Sequence, residues 1–95
     1  MAKQTADFTK SGVGKLPEGQ PVVYKILTKS GKNNYTGVAE PGRVQQRLQE
    51  HLPGHKDYIP GAKVQVQQTS SIGEARQKET ATIARDKPKY NKQGK

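Results

Sequence analysis

Residues 21 to 39, PVVYKILTKSGKNNYTGVA, constrain the fold more than any other stretch. Two segments rich in β-branched and aromatic residues, PVVYKILT and NYTGVA, flank the turn-forming cluster TKSGKNN. This arrangement predicts an antiparallel hairpin over residues 22 to 39. Tyr24 and Tyr35 then lie on opposite strands, roughly across from each other. On their own they are compatible with ordinary cross-strand packing.

The rest of the chain must cover that hairpin. Glu40-Pro41-Gly42 ends the second strand and opens a helix over residues 42 to 52, on which Val44, Leu48 and Leu52 recur every four positions. Pro53-Gly54 stops it. Further on, AKVQVQQT alternates strictly, with Ala62, Val64 and Val66 on one face and Lys63, Gln65 and Gln67 on the other. That is the pattern of a half-buried strand. Ser71-x-x-Glu74 forms a capping box that opens a second helix running to about Arg85, ended by Asp86-Lys87-Pro88. The expected order is ββαβα. It describes a small α/β domain of the α+β kind, a three-stranded, mainly antiparallel sheet flanked by helices, over residues 21–95 with a short basic C-terminal tail. Residues 1–20 are polar, glycine-rich and without periodicity, and are expected to form a flexible N-terminal arm. SGVGKL within this arm is not a phosphate-binding loop: Thr9 stands where that motif needs its first glycine, and Leu16 follows Lys15.

Ninety-five residues allow one domain with a modest core. Only 29% of them are hydrophobic, so Val, Ile, Leu, Ala and Tyr must build that core. Seventeen basic against eight acidic side chains give a formal net charge of +9, which suits a polyanionic partner, nucleic acid foremost. The absence of cysteine excludes disulfides and thiolate metal sites. No apolar stretch is long enough to span a membrane and no signal-peptide core appears, so a cytoplasmic protein without membrane contact is expected.

Two groups of residues carry chemical information. Arg43, Arg47 and His51 stand four apart, so they share a helix face. A guanidinium fork suits phosphate oxygens, but a solvated face paired with Glu40 and Glu50 has the same spacing. Glu79 lies in line with Ile72, Ala75 and Ile83 on the second helix. A carboxylate on an inward stripe costs desolvation unless it is paired or binds a metal. The same spacing also fits a loosely packed Ala- and Thr-rich helix past which Glu79 reaches water. His51 and His55 are also four apart, but Pro53-Gly54 breaks the helix between them, so a two-histidine metal site is not expected there.

Taken in order, VVY at 22–24, YTG at 35–37, RLQEH at 47–51, Glu79 and KPKYN at 87–91 resemble the GIY-YIG nuclease family across residues 21 to 91. ETATIARDKPKYN is similar to the end of the nuclease domain of the bacterial excision-repair incision subunit. The resemblance implies a divalent-metal-dependent endonuclease of low sequence specificity acting on DNA in repair or recombination. Glu79 would bind Mg²⁺ or Mn²⁺. Tyr24, Tyr35, Arg47 and His51 would be catalytic: Arg47 at the scissile phosphate, Tyr24 at the attacking water, Tyr35 and His51 in proton transfer or phosphate contact. Gly37 and Asn91 would support the site, and Arg43, Lys87 and Lys89 would contact nucleic acid. The motifs differ from the usual ones, with Val-Val-Tyr for Gly-Ile-Tyr and Tyr-Thr-Gly for Tyr-Ile-Gly. The longer link from Tyr35 to Arg47 makes Arg43 a competitor for the key arginine. No small-molecule cofactor is implied. The chain carries no attached recognition module, so a partner protein or an oligomer would supply target specificity. A nucleic-acid-binding module of the same fold without turnover is the alternative, and a basic interaction protein of another assembly is a third.

Overall fold

In the computed structural model, which describes residues 3–55, 57–88 and 90–91, the chain runs β1 (Lys3–Asp7), α1 (Lys10–Val13), β2 (Val22–Leu27), β3 (Asn33–Ala39), α2 (Val44–Gln49), β4 (Lys63–Gln68) and α3 (Ile72–Asp86). The strands form one four-stranded sheet in the order β1-β4-β2-β3, with every pairing antiparallel. The expected hairpin is β2–β3, with Tyr24 opposite Gly37 and Ile26 opposite Tyr35; the two tyrosines are therefore diagonal neighbours. Gly31 takes φ +94° in the connecting turn, a backbone state that other residues resist.

Two expectations need correction. The sheet has four strands rather than three, and residues 3–16 are part of the folded domain rather than a flexible arm. β1, KQTAD, shows no apolar alternation because its side chains are mostly exposed. Backbone pairing along β4, from Lys3–Gln67 to Asp7–Lys63, holds it in place, with an ion pair between Lys63 and Asp7 at 2.5 Å. The segment SGVGKL is likewise not all loop. Thr9 caps α1 by accepting a hydrogen bond from the Gly12 amide at 3.0 Å, and a Cβ at Gly12 would collide with the Asp7 carbonyl. Phe8, Val13 and Leu16 then enter the core, which is what ties this segment down.

The core lies on one face of the sheet. Val22, Tyr24 and Ile26 of β2 and Val64 and Val66 of β4 point into it, covered by Val44, Leu48 and Leu52 and by the N-terminal segment. Full burial of an aliphatic side chain contributes about 1.5–3 kcal/mol. A chain with so few apolar residues therefore depends heavily on those it places here. α2 is shorter than expected, ending at Gln49, and its last turn tightens through bonds from the amides of His51 to Leu48 and Leu52 to Gln49.

α3 packs on the other face, against β3 and β2. Ser71 caps it, accepting from the Glu74 amide at 3.1 Å, while Glu74 reaches back to the amide and hydroxyl of Ser70 rather than to Ser71. Lys87, in the left-handed region at φ 46°, closes the C-terminus by donating its amide to the Ile83 carbonyl. No helix among the described residues is long and apolar enough to cross a membrane.

Candidate active site

β3 is an edge strand, with α2 beyond one face of the sheet and α3 on the other. A cleft of about 400 Å³ wraps this edge, lined by Tyr24, Tyr35, Glu40, Arg43 and Arg47 together with Ile72, Arg76 and Glu79 of α3. Tyr24 forms its floor and is fully buried. Gly37, directly across from Tyr24, makes this floor possible: a Cβ there would stand 2.5 Å from the Tyr24 hydroxyl oxygen and 3.0 Å from the Tyr35 ring.

Three rings cluster beneath the cleft. Tyr24 and Tyr35 have centroids 6.2 Å apart, and His51 lies 5.8 Å and 5.0 Å from them. His51 Nδ1 is 2.8 Å from the Asp57 carbonyl oxygen, which only accepts, so Nδ1 carries the proton. In neutral His51, Nε2 is then an acceptor, and the Tyr24 hydroxyl donates to it at 2.9 Å. Burial pushes the His51 pKa below its usual value, which the Asp57 carbonyl partly opposes, and the Arg47 charge pushes it the same way as burial. Burial also pushes the Tyr24 hydroxyl up, the neighbouring Tyr35 adds to this, and Arg47 acts against both. The ground state is a neutral tyrosine hydrogen-bonded to a neutral imidazole. Because His51 is buried and turned inward, it does not share an exposed cationic face with Arg43 and Arg47.

Arg43 precedes the first turn of α2 and is exposed, without a capping bond. Arg47 is half-buried and held by Glu50 at 2.8 Å and Asp57 at 3.7 Å. Burial works against its charge, but Tyr24 and Glu50 more than offset this and its pKa stands above the usual value. Glu79, half-buried on the α3 wall, has no hydrogen-bond or ion-pair partner among the described residues. Burial raises its carboxyl pKa, opposed by Arg76.

Arg76 was not legible as a site residue. Its only sequence signal is the i, i+4, i+7 relation of Ile72, Arg76 and Glu79, which puts them on one side of α3. Asn91 pairs with the open edge of β3, accepting from the Thr36 amide at 2.6 Å and donating to the Thr36 carbonyl at 2.9 Å. It fixes the backbone between Tyr35 and Gly37. Lys87 is exposed at the end of α3 and does not line the cleft. Lys89 lies outside the described residues.

No group of three or more His, Cys, Asp or Glu side chains among the described residues is placed to hold a metal ion. The donor set in the cleft is the carboxylates of Glu79 and Glu40. One unpaired carboxylate facing an open cleft suits a Mg²⁺ ion, which binds through few protein oxygens and keeps most of its waters. It does not suit a structural zinc site, which needs four protein ligands. No protein-family model matches the chain, and no curated protein matches it significantly.

Proposed function

We propose that the chain is a divalent-metal-dependent endonuclease that hydrolyses phosphodiester bonds of DNA with low sequence preference, on a domain of the GIY-YIG type. The observation that carries this reading is the convergence of Tyr24, Tyr35, Arg47 and Glu79 on one cleft, with His51 behind Tyr24 as a proton acceptor.

Arg47 would engage the scissile phosphate, exchanging the carboxylates of Glu50 and Asp57 for phosphate oxygens, and Arg43 would hold a flanking phosphate. Glu79 would hold Mg²⁺ or Mn²⁺, which when bound supplies positive charge to the phosphate and leaving oxygen. Because the Tyr24 pKa is raised, free tyrosinate is a poor candidate for the base. A relay avoids it: the Tyr24 oxygen accepts a proton from the attacking water as its own proton passes to His51 Nε2. The water oxygen forms the new bond to phosphorus as the bond to the 3′ or 5′ oxygen breaks. The leaving oxygen takes a proton from solvent, while His51 later returns its extra proton. Asp57 keeps the imidazole in the tautomer this requires. Tyr35 and Gly37 shape the floor, and Asn91 holds their strand.

The competing reading is a binding module without turnover. It is favoured by the complete burial of Tyr24, which a water must reach for the relay to operate. Incubation of purified protein with supercoiled plasmid and Mg²⁺ or Mn²⁺ separates the two. Chelator-sensitive nicking that is lost in Arg47→Ala supports the nuclease; DNA binding without nicking across single-stranded, nicked, flapped and branched substrates supports the module. A partner protein or an oligomer would supply target choice.

A further inference from the structure

The excess positive charge of this chain is not concentrated in the cleft. Three arginines there face two glutamates, Glu40 and Glu79. A second depression lies behind α3, where the helix leaves the β4 and β1 half of its sheet face uncovered. This groove, about 230 Å³, is lined by Lys3, Lys25, Lys78 and Arg85 over a floor that includes Gln65 and Gln67. No carboxylate lines it among the described residues, although Arg85 is ion-paired at its margin with Asp86 at 2.9 Å.

The cations come from three elements and have a regular arrangement. Lys25 pairs across the sheet with Gln65, and Lys3 with Gln67, so basic and amide side chains alternate over the β2–β4–β1 surface. Two strand spacings separate β2 from β1, about 10 Å. Lys78 and Arg85 stand seven positions apart on α3, about 10 Å along the helix axis. That distance covers roughly three phosphate rises of one duplex strand. The crowding carries a cost: burial disfavours the Lys25 charge, and Arg85 and Lys3 disfavour it further, with only Asp86 acting the other way. An anionic partner would relieve it. No aromatic side chain lines the groove, so it offers phosphate and amide contacts but no platform for unstacked bases.

We infer that the groove between α3 and the β4–β1 half of the sheet binds the sugar–phosphate backbone of duplex nucleic acid, as a surface separate from the cleft. Lys3, Lys25, Lys78 and Arg85 supply its cations. It goes beyond the nuclease reading, because such a surface holds DNA whether or not the cleft cuts it.

The test is the affinity of the full chain for a labelled blunt-ended DNA duplex, titrated over a salt series in chelator so that no turnover is needed. The combined Lys25→Gln and Lys78→Gln variant is compared with Lys10→Gln and Lys15→Gln, which removes the same charge from the exposed α1 side. The groove variant is expected to bind about tenfold more weakly, with the slope of log affinity against log salt reduced by about 2. The α1 variant should stay within about twofold of wild type. Equal losses in both variants, or wild-type affinity and slope in the groove variant, would overturn the proposal. So would poly-L-glutamate binding as tightly as the duplex with the same dependence on Lys25 and Lys78, which would point to an acidic protein. If the first variant does not fold by circular dichroism, Lys3→Gln with Lys78→Gln carries the same test.

Discussion

Tyr24 donates its hydroxyl proton to His51 Nε2 across 2.9 Å, and the direction of that bond is set from behind by the Asp57 carbonyl. The pair couples the β-hairpin to the end of α2. Tyr24→Phe removes the donor and leaves a buried acceptor unpaired, at a cost of about 1–3 kcal/mol in stability. Loss of the proposed relay should lower the cleavage rate about 10²–10⁴-fold. Stability by thermal melting and rate by plasmid nicking check the two separately. A Tyr24→Phe protein that cuts at the wild-type rate would remove the relay.

The same pair predicts a pH dependence. The groups facing His51 are Tyr24, Tyr35, Arg47, Glu50 and Asp57, and the net effect is a folded-state pKa below the unfolded value of about 6.5. A depressed pKa means that the unfolded chain takes up the proton first. The contribution of neutral His51 to stability is therefore complete above about pH 6.5 and is lost as pH falls through its folded-state pKa. Melting curves of wild type and His51→Gln between pH 5 and pH 8 should converge at the acid end. Parallel curves over that range would show that His51 does not titrate as described.

Much of this arrangement was legible in the sequence, and the exceptions have physical causes. The hairpin, β4 and the α3 cap announced themselves through alternation, turn residues and Ser71-x-x-Glu74. β1 did not, because KQTAD is held by backbone bonds to β4 and leaves no apolar pattern. Phe8, Val13 and Leu16 were the only hints, and they are too widely spaced for helix or strand periodicity. At the cleft, spacing brought Arg43 and Arg47 together but misplaced His51. The backbone tightens after Gln49, and the imidazole turns in under the tyrosines instead of continuing the exposed row. Arg76 was hidden because nothing local tells which side of α3 wraps the edge of β3.

Gly37 is fixed by the Tyr24 ring. Gly37→Ala would place a methyl group 2.5 Å from the Tyr24 hydroxyl oxygen and 2.6 Å from its ring carbon, so the ring or the strand must shift. The expected cost is that of overpacking, about 1–3 kcal/mol, with cleavage reduced more than binding because the floor moves while the arginines stay. Denaturant unfolding and a comparison of nicking with duplex affinity measure both. A variant as stable and active as wild type would mean that the ring is free to move aside.

On the proposed nuclease reading, Glu50 would compete with a phosphate for Arg47. The pair is partly solvent-accessible, so its own contribution to stability is small, about 1 kcal/mol or less. Glu50→Gln should leave the melting temperature nearly unchanged while tightening DNA binding, since one carboxylate no longer screens the guanidinium. The gain should shrink as salt rises. Binding isotherms at low and high ionic strength decide it; unchanged affinity at low salt would mean that Arg47 does not meet the phosphate.

Glu79 divides the nuclease from the binding module. Its carboxylate lines the cleft with no partner among the described residues, and burial raises its pKa. For an acid the raised value means that ionisation costs stability once pH rises past the unfolded pKa of about 4.3. Glu79→Gln should accordingly melt at the same temperature as wild type near pH 4 and no lower at pH 7, a modest effect because the group is partly solvated. Removing the charge that would hold the metal should abolish Mg²⁺-dependent nicking, while duplex binding persists or tightens as a negative charge beside the phosphates disappears. Isothermal titration with Mn²⁺ adds a readout independent of turnover, with binding lost in the variant. If Glu79→Gln retains both Mn²⁺ binding and chelator-sensitive cleavage, this residue is not the metal ligand, and the cleft must be read as a phosphate-binding surface alone.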